Sequence, residues 1–246
     1  MTTPPAAAHV RELAKLTRRG ERPETLFIVC SALGREVRAI LRKYGWSADF
    51  LPLDSRYHLY PERIEEVVDD CLCRTDGAYA RRVVVYGQCG AQRLDAILAA
   101  HKGAVRPVGP HCYEMYGADE FRRAVREVPG TYILTDYLIQ AWDKLIIRGL
   151  KMDKHPKLKK VMFAHYKRML YLSQERDSEL VDKARAIARS LGLELIVRHV
   201  GYGDLERRLV AIMEGRPQPG ADAEDATYTY PVASRQARGA AAKGVG

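Results

Sequence analysis

A short apolar run that ends at a glycine and leads directly into a helix constrains the fold of this chain most. Val83 to Val85 is a β-branched run, Gly87 follows it, and the residues from Ala91 to Ala100 have a helical pattern. This order is typical of a buried strand, a turn and a helix in an open α/β sheet. Because such sheets bind ligands beyond the carboxyl ends of their strands, the cysteine of the turn, Cys89, is predicted to lie at a ligand-binding edge.

The same order of strand and turn precedes two other cysteines. Leu26 to Val29 leads into Cys30, and residues 105–110 lead into His111 and Cys112. If these strands are parallel in one sheet, their carboxyl ends meet at one edge. The sequence therefore predicts that the three strand-end thiols converge.

Apolar strands alternate with helical segments along the rest of the chain. This alternation predicts an α/β fold with an open, mostly parallel sheet and helices on both faces, and a division into two lobes fits the same pattern. The predicted units are an N-terminal extension (1–24), a cysteine-bearing α/β domain (25–150), a basic segment with a second α/β lobe, separate from or continuous with the first (151–215), and a disordered tail (216–246).

Composition restricts the class of protein. The chain has 246 residues, of which 47% are hydrophobic, so it can bury a substantial core. It has no apolar run long enough to cross a bilayer, and its start lacks the features of a secretory signal, so we expect a cytoplasmic protein. Five cysteines, an odd number without an export signal, favour reduced thiols over a disulfide framework.

The formal charge of +9 is concentrated in one stretch. Residues 143–168 contain nine Lys or Arg against two Asp. Such a stretch suits a small anionic substrate or an acidic protein, although a solvated lysine-rich surface has the same composition. Nucleic-acid binding is not predicted, because no aromatic platform or helix-turn-helix pattern accompanies the charge.

Three convergent thiols can perform several kinds of chemistry. Cys30, Cys89 and Cys112 are enough to hold a four-iron iron–sulfur cluster with one iron left open. A zinc site formed by the same cysteines and His111 is the main alternative. A single reactive thiolate at Cys89, or three cysteines that are merely buried, are the other interpretations.

Polar residues near these cysteines are candidates for contact with a cofactor or substrate. Arg35 and Arg93 each follow a strand-end cysteine by a few residues, and Tyr113 follows Cys112 directly. We predict that these three side chains face the bound group. Their positions fix no individual role.

Three further residues carry a metal-binding side chain. His58 lies in the loop after the second strand and could face the same edge, although a surface position is the simpler interpretation. Cys71 and Cys73 are two residues apart on a predicted helix, so their side chains point in different directions and suit one metal poorly. We predict that Cys71 lies in the core and assign no role to Cys73.

Four motifs along the chain form a recognisable pattern. They are Cys30 with Arg35-Glu36, Tyr86-Gly87-Gln88-Cys89-Gly90, His111-Cys112 and Pro129-Gly130-Thr131-Tyr132. By these motifs the chain resembles a prokaryotic protein family of unknown function, DUF1638, over about residues 25–215, although the family usually has a residue between the histidine and the cysteine. The resemblance implies no established reaction. Members tend to occur beside corrinoid-dependent methyltransferase systems, which implies a role in one-carbon metabolism and an acidic corrinoid protein as a partner.

These observations together predict a metal- or iron–sulfur-binding protein with a three-cysteine site at the carboxyl edge of the sheet. The resemblance adds the expectation that the site serves corrinoid-linked methyl metabolism. The alternative is a non-enzymatic docking protein that binds an acidic partner through the basic segment from Lys151 to Lys167. The sequence leaves open whether the protein is an enzyme.

Overall fold

Two parallel β-sheets flanked by helices make up the computed structural model, which describes residues 7–18, 20–109 and 111–220. The predicted α/β class is therefore confirmed. The strands are β1 (Thr25–Cys30), β2 (Asp49–Leu53), β3 (Arg81–Val85), β4 (Ala104–Val105), β5 (Thr131–Thr135), β6 (Arg168–Ser173) and β7 (Glu194–His199). The α-helices are α1 (Ala7–Thr17), α2 (Gly34–Lys43), α3 (Pro61–Arg74), α4 (Leu94–Ala100), α5 (Cys112–Glu127), α6 (Asp136–Gln140), α7 (Lys157–Phe163), α8 (Ser178–Leu191) and α9 (Gly203–Met213).

The first sheet has the strand order β2-β1-β3-β4, with every pair parallel. Its two central strands are completely buried from Leu26 to Val29 and from Val83 to Val85. Burial on both faces explains why these strands are continuous apolar runs and do not alternate with polar residues. The pairing of Val29 with Val85 brings the carboxyl ends of β1 and β3 side by side.

The first sheet stops at β4, which has only two residues. Pro107 follows it and has no backbone N–H to donate to another strand, which limits the ladder at this edge. The next strand, β5, begins a second parallel sheet of order β5-β6-β7. The sequence groups β5 with the cysteine-bearing domain 25–150, but in the structure β5 pairs with β6. The division into domains at residue 150 stays a prediction.

Elements from both ends of the described chain complete the first core. In α1, which lies within the predicted extension, Leu13 is buried, and His9 forms a hydrogen bond of 2.9 Å with Asp70 of α3. In α9, which follows the second sheet, Leu205 and Leu209 are fully buried against the same core. The chain thus returns to the first lobe after forming the second.

Helix α5 connects the two lobes. Met115 in its first turn belongs to the core of the first sheet, whereas Phe121 packs with Leu172 of the second. Between them Gly117 departs from helical geometry, with φ −164° and ψ 79°, so the helix is kinked. Side chains also bridge the lobes directly, since Ser55 Oγ lies 2.7 Å from the hydroxyl of Tyr137.

One buried carboxylate anchors the second lobe. Asp136, at the start of α6, accepts hydrogen bonds from the Tyr171 hydroxyl at 2.7 Å and from the backbone N–H groups of Gln174 and Glu175 at 3.1 and 3.0 Å. These contacts tie the turn after β6 to the end of β5. Because Asp136 is buried, water cannot replace them.

The predicted tail is described only in part. Gln218 accepts a hydrogen bond from the backbone N–H of Val108 and donates one to the carbonyl of Arg106, each at 2.9 Å. Residues 216–220 are therefore held against the loop after β4, while the rest of the predicted tail, 221–246, lies outside the described residues. None of the helices in the described ranges is both long enough and apolar enough to span a bilayer.

We expect Asp136→Ala to destabilise the protein, because three donors lose their buried acceptor. Each such loss costs about 1–3 kcal/mol, so the free energy of unfolding should fall by roughly 3 kcal/mol or more. Urea denaturation measures this change. Asp182→Ala removes an exposed carboxylate of α8 and should change the free energy of unfolding by less than about 0.5 kcal/mol. Equal effects of the two substitutions would contradict the anchoring role of Asp136.

Candidate metal centre

The carboxyl ends of β1 and β2 form one side of the site. Cys30 is the last residue of β1, is paired with Leu53 of β2, and is almost completely buried. Ser31 then donates a hydrogen bond of 2.6 Å from Oγ to the carbonyl of Leu53, which joins the two strand ends. The thiol of Cys30 is thus fixed at the edge where the sequence places it.

His58 reaches the same edge from the loop after β2. Asp54 accepts a hydrogen bond of 2.9 Å from the backbone N–H of Arg56 and so starts the short 3₁₀ segment Ser55–Leu59. Within that segment His58 Nδ1 lies 2.9 Å from the carbonyl oxygen of Ser55. A carbonyl can only accept, so Nδ1 carries a proton, and Nε2 is the nitrogen that a metal can bind once it is deprotonated. Histidine ligands of metals are commonly oriented by such a bond.

Cys89 lies in a turn with unusual backbone geometry. Its φ is +47°, in the left-handed region that few residues other than glycine adopt. The following Gly90 also has a positive φ of 89°. Strained residues of this kind concentrate at functional sites, because the surrounding structure must hold them in place.

Close packing of two backbones brings the third thiol to this turn. Cys112 is the first residue of α5. A Cβ atom added to Gly87 would lie 2.7 Å from the backbone nitrogen of Cys112 and 2.9 Å from the carbonyl carbon of His111. Only glycine therefore allows the turn after β3 to pack against the start of α5.

These elements bring three potential ligands together. One ligand atom each from His58, Cys89 and Cys112 lies within 4.8 Å of the other two. The ligands of a tetrahedral zinc ion, at 2.0–2.3 Å from the metal, are about 3.5–3.8 Å apart, so a small adjustment would satisfy that geometry. Cys30 Sγ lies 3.9 Å from His58 Nδ1 and is the nearest further thiol. The group could hold a metal ion.

The thiols and the imidazole perturb one another. A hydrogen bond with the Cys112 thiol lowers the pKa of Cys89 well below its ordinary value, and the charge of His58 acts in the same direction against the effect of burial. The same hydrogen bond, with burial, raises the pKa of Cys112. Burial opposes protonation of His58, but the thiols of Cys30 and Cys89 outweigh it and raise its pKa. A metal cation would replace these protons.

Two tyrosine hydroxyls and a carboxylate lie beside the thiols. Burial and the neighbouring Cys30 raise the pKa of Tyr86, and burial and Glu36 raise the pKa of Tyr116. The Tyr116 hydroxyl also interacts with the Glu36 carboxylate, and the Tyr86 hydroxyl interacts with the Cys30 thiol. The thiols thus lie among buried polar groups that contact one another.

A cavity of about 190 Å³ adjoins the thiol cluster between the lobes. His58 and Cys112 line it from the first lobe, and Tyr137 and Leu138 line it from the second. Most of its wall is apolar, with leucine and isoleucine side chains contributed by both lobes. The structure therefore combines a cluster of soft ligands with space for a small molecule.

The residues predicted to face the bound group occupy different positions. Tyr113 lines the cavity. Arg35 is half exposed and forms an ion pair of 2.5 Å with Glu175 of the second lobe. Arg93 is exposed, and its backbone N–H donates to Glu65 at 2.8 Å. The structure thus brings one of the three to the cavity.

The histidine of the ligand group is His58, whereas the sequence favours His111. The ring of His111 packs near Phe121, with centroids 6.0 Å apart, and does not belong to the group of three close ligand atoms. The signal for His58 is its position after β2, beside an Asp54-Ser55 sequence that can start a turn. That signal is weak because most loop histidines are exposed.

A second group of potential ligands lies on the surface. Asp69 and Cys73 are one turn apart on α3, and His101 Nε2 lies 2.9 Å from Asp69 Oδ1. Asp69 and Cys73 are exposed, so this group is less enclosed than the thiol cluster. Cys71 is fully buried, which confirms its predicted place in the core.

Comparison with known proteins identifies a family. A family model described as a protein of unknown function, DUF1638, matches residues 52–209. The chain belongs to the DUF1638 family. The match includes His58, Cys89 and Cys112, while Cys30 precedes it. No curated protein and no solved structure matches this DUF1638 protein.

We expect Gly87→Ala to disrupt the ligand cluster, since the new methyl group would collide with the backbone at the start of α5. Overpacking of this kind typically costs about 1–3 kcal/mol, and separating the two backbones also moves Cys89 away from Cys112. Thermal denaturation and zinc affinity measure the two effects. Gly34→Ala is the control, because its Cβ would meet only Phe50 Cζ at an ordinary 3.8 Å. Unchanged zinc affinity in Gly87→Ala would show that the close approach is not needed.

Proposed function

We propose that this DUF1638 protein binds one zinc ion through His58, Cys89 and Cys112, and that the centre serves methyl-group metabolism. The observation that carries the proposal is the approach of three ligand atoms, from three separate segments of the chain, to within 4.8 Å of one another. Two thiolates with one imidazole form a donor set found in catalytic zinc sites. Its arrangement at the carboxyl edge of a parallel sheet fits a ligand-binding role.

The spacing favours zinc over the iron–sulfur cluster expected from the sequence. In a four-iron cluster each thiolate binds a different iron, so the sulfur atoms are separated by the width of the cluster. The compact group and its imidazole ligand suit a single ion better. The hydrogen bond from His58 Nδ1 to Ser55 supports the same choice, because it leaves Nε2 available as a ligand.

The chemistry of such a centre fits methyl transfer. Zinc acts as a Lewis acid and lowers the pKa of a group bound to it. A sulfur atom must be deprotonated to act as a nucleophile, and coordination to zinc allows this near neutral pH. The link to methyl groups comes from the corrinoid-dependent systems implied by the family resemblance.

We expect the protein, purified anaerobically, to contain about one zinc per chain, and we expect Cys89→Ser and His58→Ala to lose it. Metal analysis measures the zinc content, and an absorption spectrum reports any iron–sulfur cluster. Cys73→Ser is the matched control, because it removes a thiol from the exposed group beside His101 and leaves the thiol cluster intact.

The results distinguish the possible sites. Zinc retained by Cys89→Ser but lost from Cys73→Ser would assign the metal to the surface group and contradict the proposal. Iron with a charge-transfer spectrum, lost from Cys89→Ser, would favour the cluster over zinc. Metal-free protein with intact folding would exclude a tightly bound resident metal.

A second candidate function is docking to an acidic protein, and the exposed face of α7 favours it. Three apolar side chains of this helix are exposed, with Val161 at 69%, Met162 at 42% and Leu158 at 36%. Lysines separate them in the sequence Lys157-Leu158-Lys159-Lys160. Apolar groups rimmed by positive charge suit an acidic partner with an apolar contact surface.

We expect simultaneous Lys157→Glu, Lys159→Glu and Lys160→Glu substitutions to weaken binding to a purified acidic corrinoid protein at least about tenfold, because like charges then face one another. Isothermal titration calorimetry measures the affinity. The same charge change placed on α8, at Lys183, Arg185 and Arg189, should leave it unchanged. Equal losses in both variants would indicate that net charge, and not the surface of α7, controls binding.

A further inference from the structure

The thiol cluster and the adjoining cavity together specify what the centre binds. We infer, on the basis of the proposed zinc site, that the fourth zinc position opens into the cavity and takes the sulfur of a small, mostly apolar thiol. Structural zinc sites use four protein ligands, whereas catalytic sites keep one position for water or substrate. The question is therefore whether Cys30 or the cavity supplies the fourth ligand.

The position of Cys30 argues against it as the fourth ligand. Its sulfur lies 3.9 Å from His58 Nδ1, the ring nitrogen that donates to the carbonyl of Ser55. A zinc ion on Nε2 would lie on the other side of the ring. Cys30 is also absent from the group of ligand atoms that lie within 4.8 Å of one another. Its thiol therefore faces the imidazole and does not complete the site.

The cavity directly adjoins the proposed metal site. His58 and Cys112, two of the three proposed ligands, form part of its wall, and Cys30 is not among the described residues that line it. A molecule in the cavity can therefore approach a metal bound by these residues. A zinc-bound water at this position would be the group that the molecule displaces.

The size and lining of the cavity define the class of ligand. Its volume of about 190 Å³ slightly exceeds the roughly 150 Å³ of an apolar cavity that accepts benzene, so a molecule of about six to ten heavy atoms would fit. The apolar wall favours an alkyl or aryl body. Its apolar side chains come from both lobes and comprise Leu33, Leu138, Leu145, Ile146 and Leu150.

The polar groups of the cavity do not favour a ligand that carries a charge away from its thiol. Arg56 lines the wall, but its guanidinium makes three hydrogen bonds to the carboxylate of Asp54 at 2.7–3.1 Å. Its charge is thus already matched. Tyr116 also lines the cavity, but its hydroxyl interacts with the Glu36 carboxylate. Because Arg56 offers no unmatched positive charge, the ligand is an uncharged thiol in place of the anionic substrate expected from the sequence.

Binding of such a thiol to zinc exchanges one ligand for another and releases one proton. The S–H bond breaks, the proton passes to solvent, and a zinc–sulfur bond forms as zinc-bound water leaves. Two thiolates already bound to the metal make a third sulfur ligand chemically compatible, since soft ligands suit zinc well. No oxidant or reductant takes part.

Cobalt-substituted protein tests this inference, because Co²⁺ reports each bound thiolate by its charge-transfer absorption. We expect 1-pentanethiol to increase that absorption saturably and to bind at least about tenfold more tightly than 4-mercaptobutyrate, which has similar length but carries a charge. 1-Pentanol, which lacks sulfur, should leave the charge-transfer band unchanged. Ile146→Trp should fill the cavity and weaken the binding of 1-pentanethiol at least tenfold. The cobalt spectrum of this variant without thiol should be the same as that of the original protein. Ala186→Trp, at an exposed position of α8, should change neither the affinity for 1-pentanethiol nor the cobalt spectrum.

Each contrary result has a separate meaning. If no thiol changes the cobalt spectrum, or if Cys30→Ser loses thiolate absorption, the metal has four protein ligands. Either result would overturn the inference about the thiol and leave the proposed metal site in place. Equal affinity for 1-pentanethiol and 4-mercaptobutyrate would overturn the apolar substrate class. Failure of the protein to bind cobalt or zinc would instead overturn the proposed function.

Discussion

The packing of the turn after β3 against the start of α5 is the constraint on which the rest of the site depends. Gly87 lies so close to the backbone of His111 and Cys112 that no side chain fits between them. This contact places Cys112 beside Cys89, whose own backbone is held in the left-handed region. Because the same helix continues past its kink at Gly117 into the second core, the contact also sets how the second lobe meets the cluster.

The thiols and the imidazole of the cluster are electrostatically coupled. The lowered pKa of Cys89 and the raised pKa of His58 favour a thiolate beside an imidazolium, and removing two charges from water costs several kcal/mol per ion before their attraction is counted. The proposed metal cation would take the place of the exchangeable proton and neutralise thiolate charge directly.

Much of the fold and part of the site follow from sequence because they depend on local order. Apolar runs, glycine turns and helical periodicity place the strands, and parallel pairing then brings Cys30, Cys89 and Cys112 to one edge. Two features depend on tertiary geometry, and the local sequence does not favour them. The 3₁₀ segment after Asp54 turns His58 inward, while His111 packs near Phe121. The shortness of β4 ends the first sheet, so β5 pairs with β6.

The two lobes contribute different parts of the site. The three close ligand atoms come from the loops of the first lobe and the start of α5, whereas Tyr137 and Leu138 contribute to the cavity from the second. In the proposed centre, metal affinity would therefore depend on the first lobe and α5, and ligand selectivity would depend on both lobes. The hydrogen bond between Ser55 and Tyr137 connects them, because Ser55 also orients His58 through its carbonyl. A shift of the second lobe that enlarges the cavity would consequently act on the imidazole ligand as well.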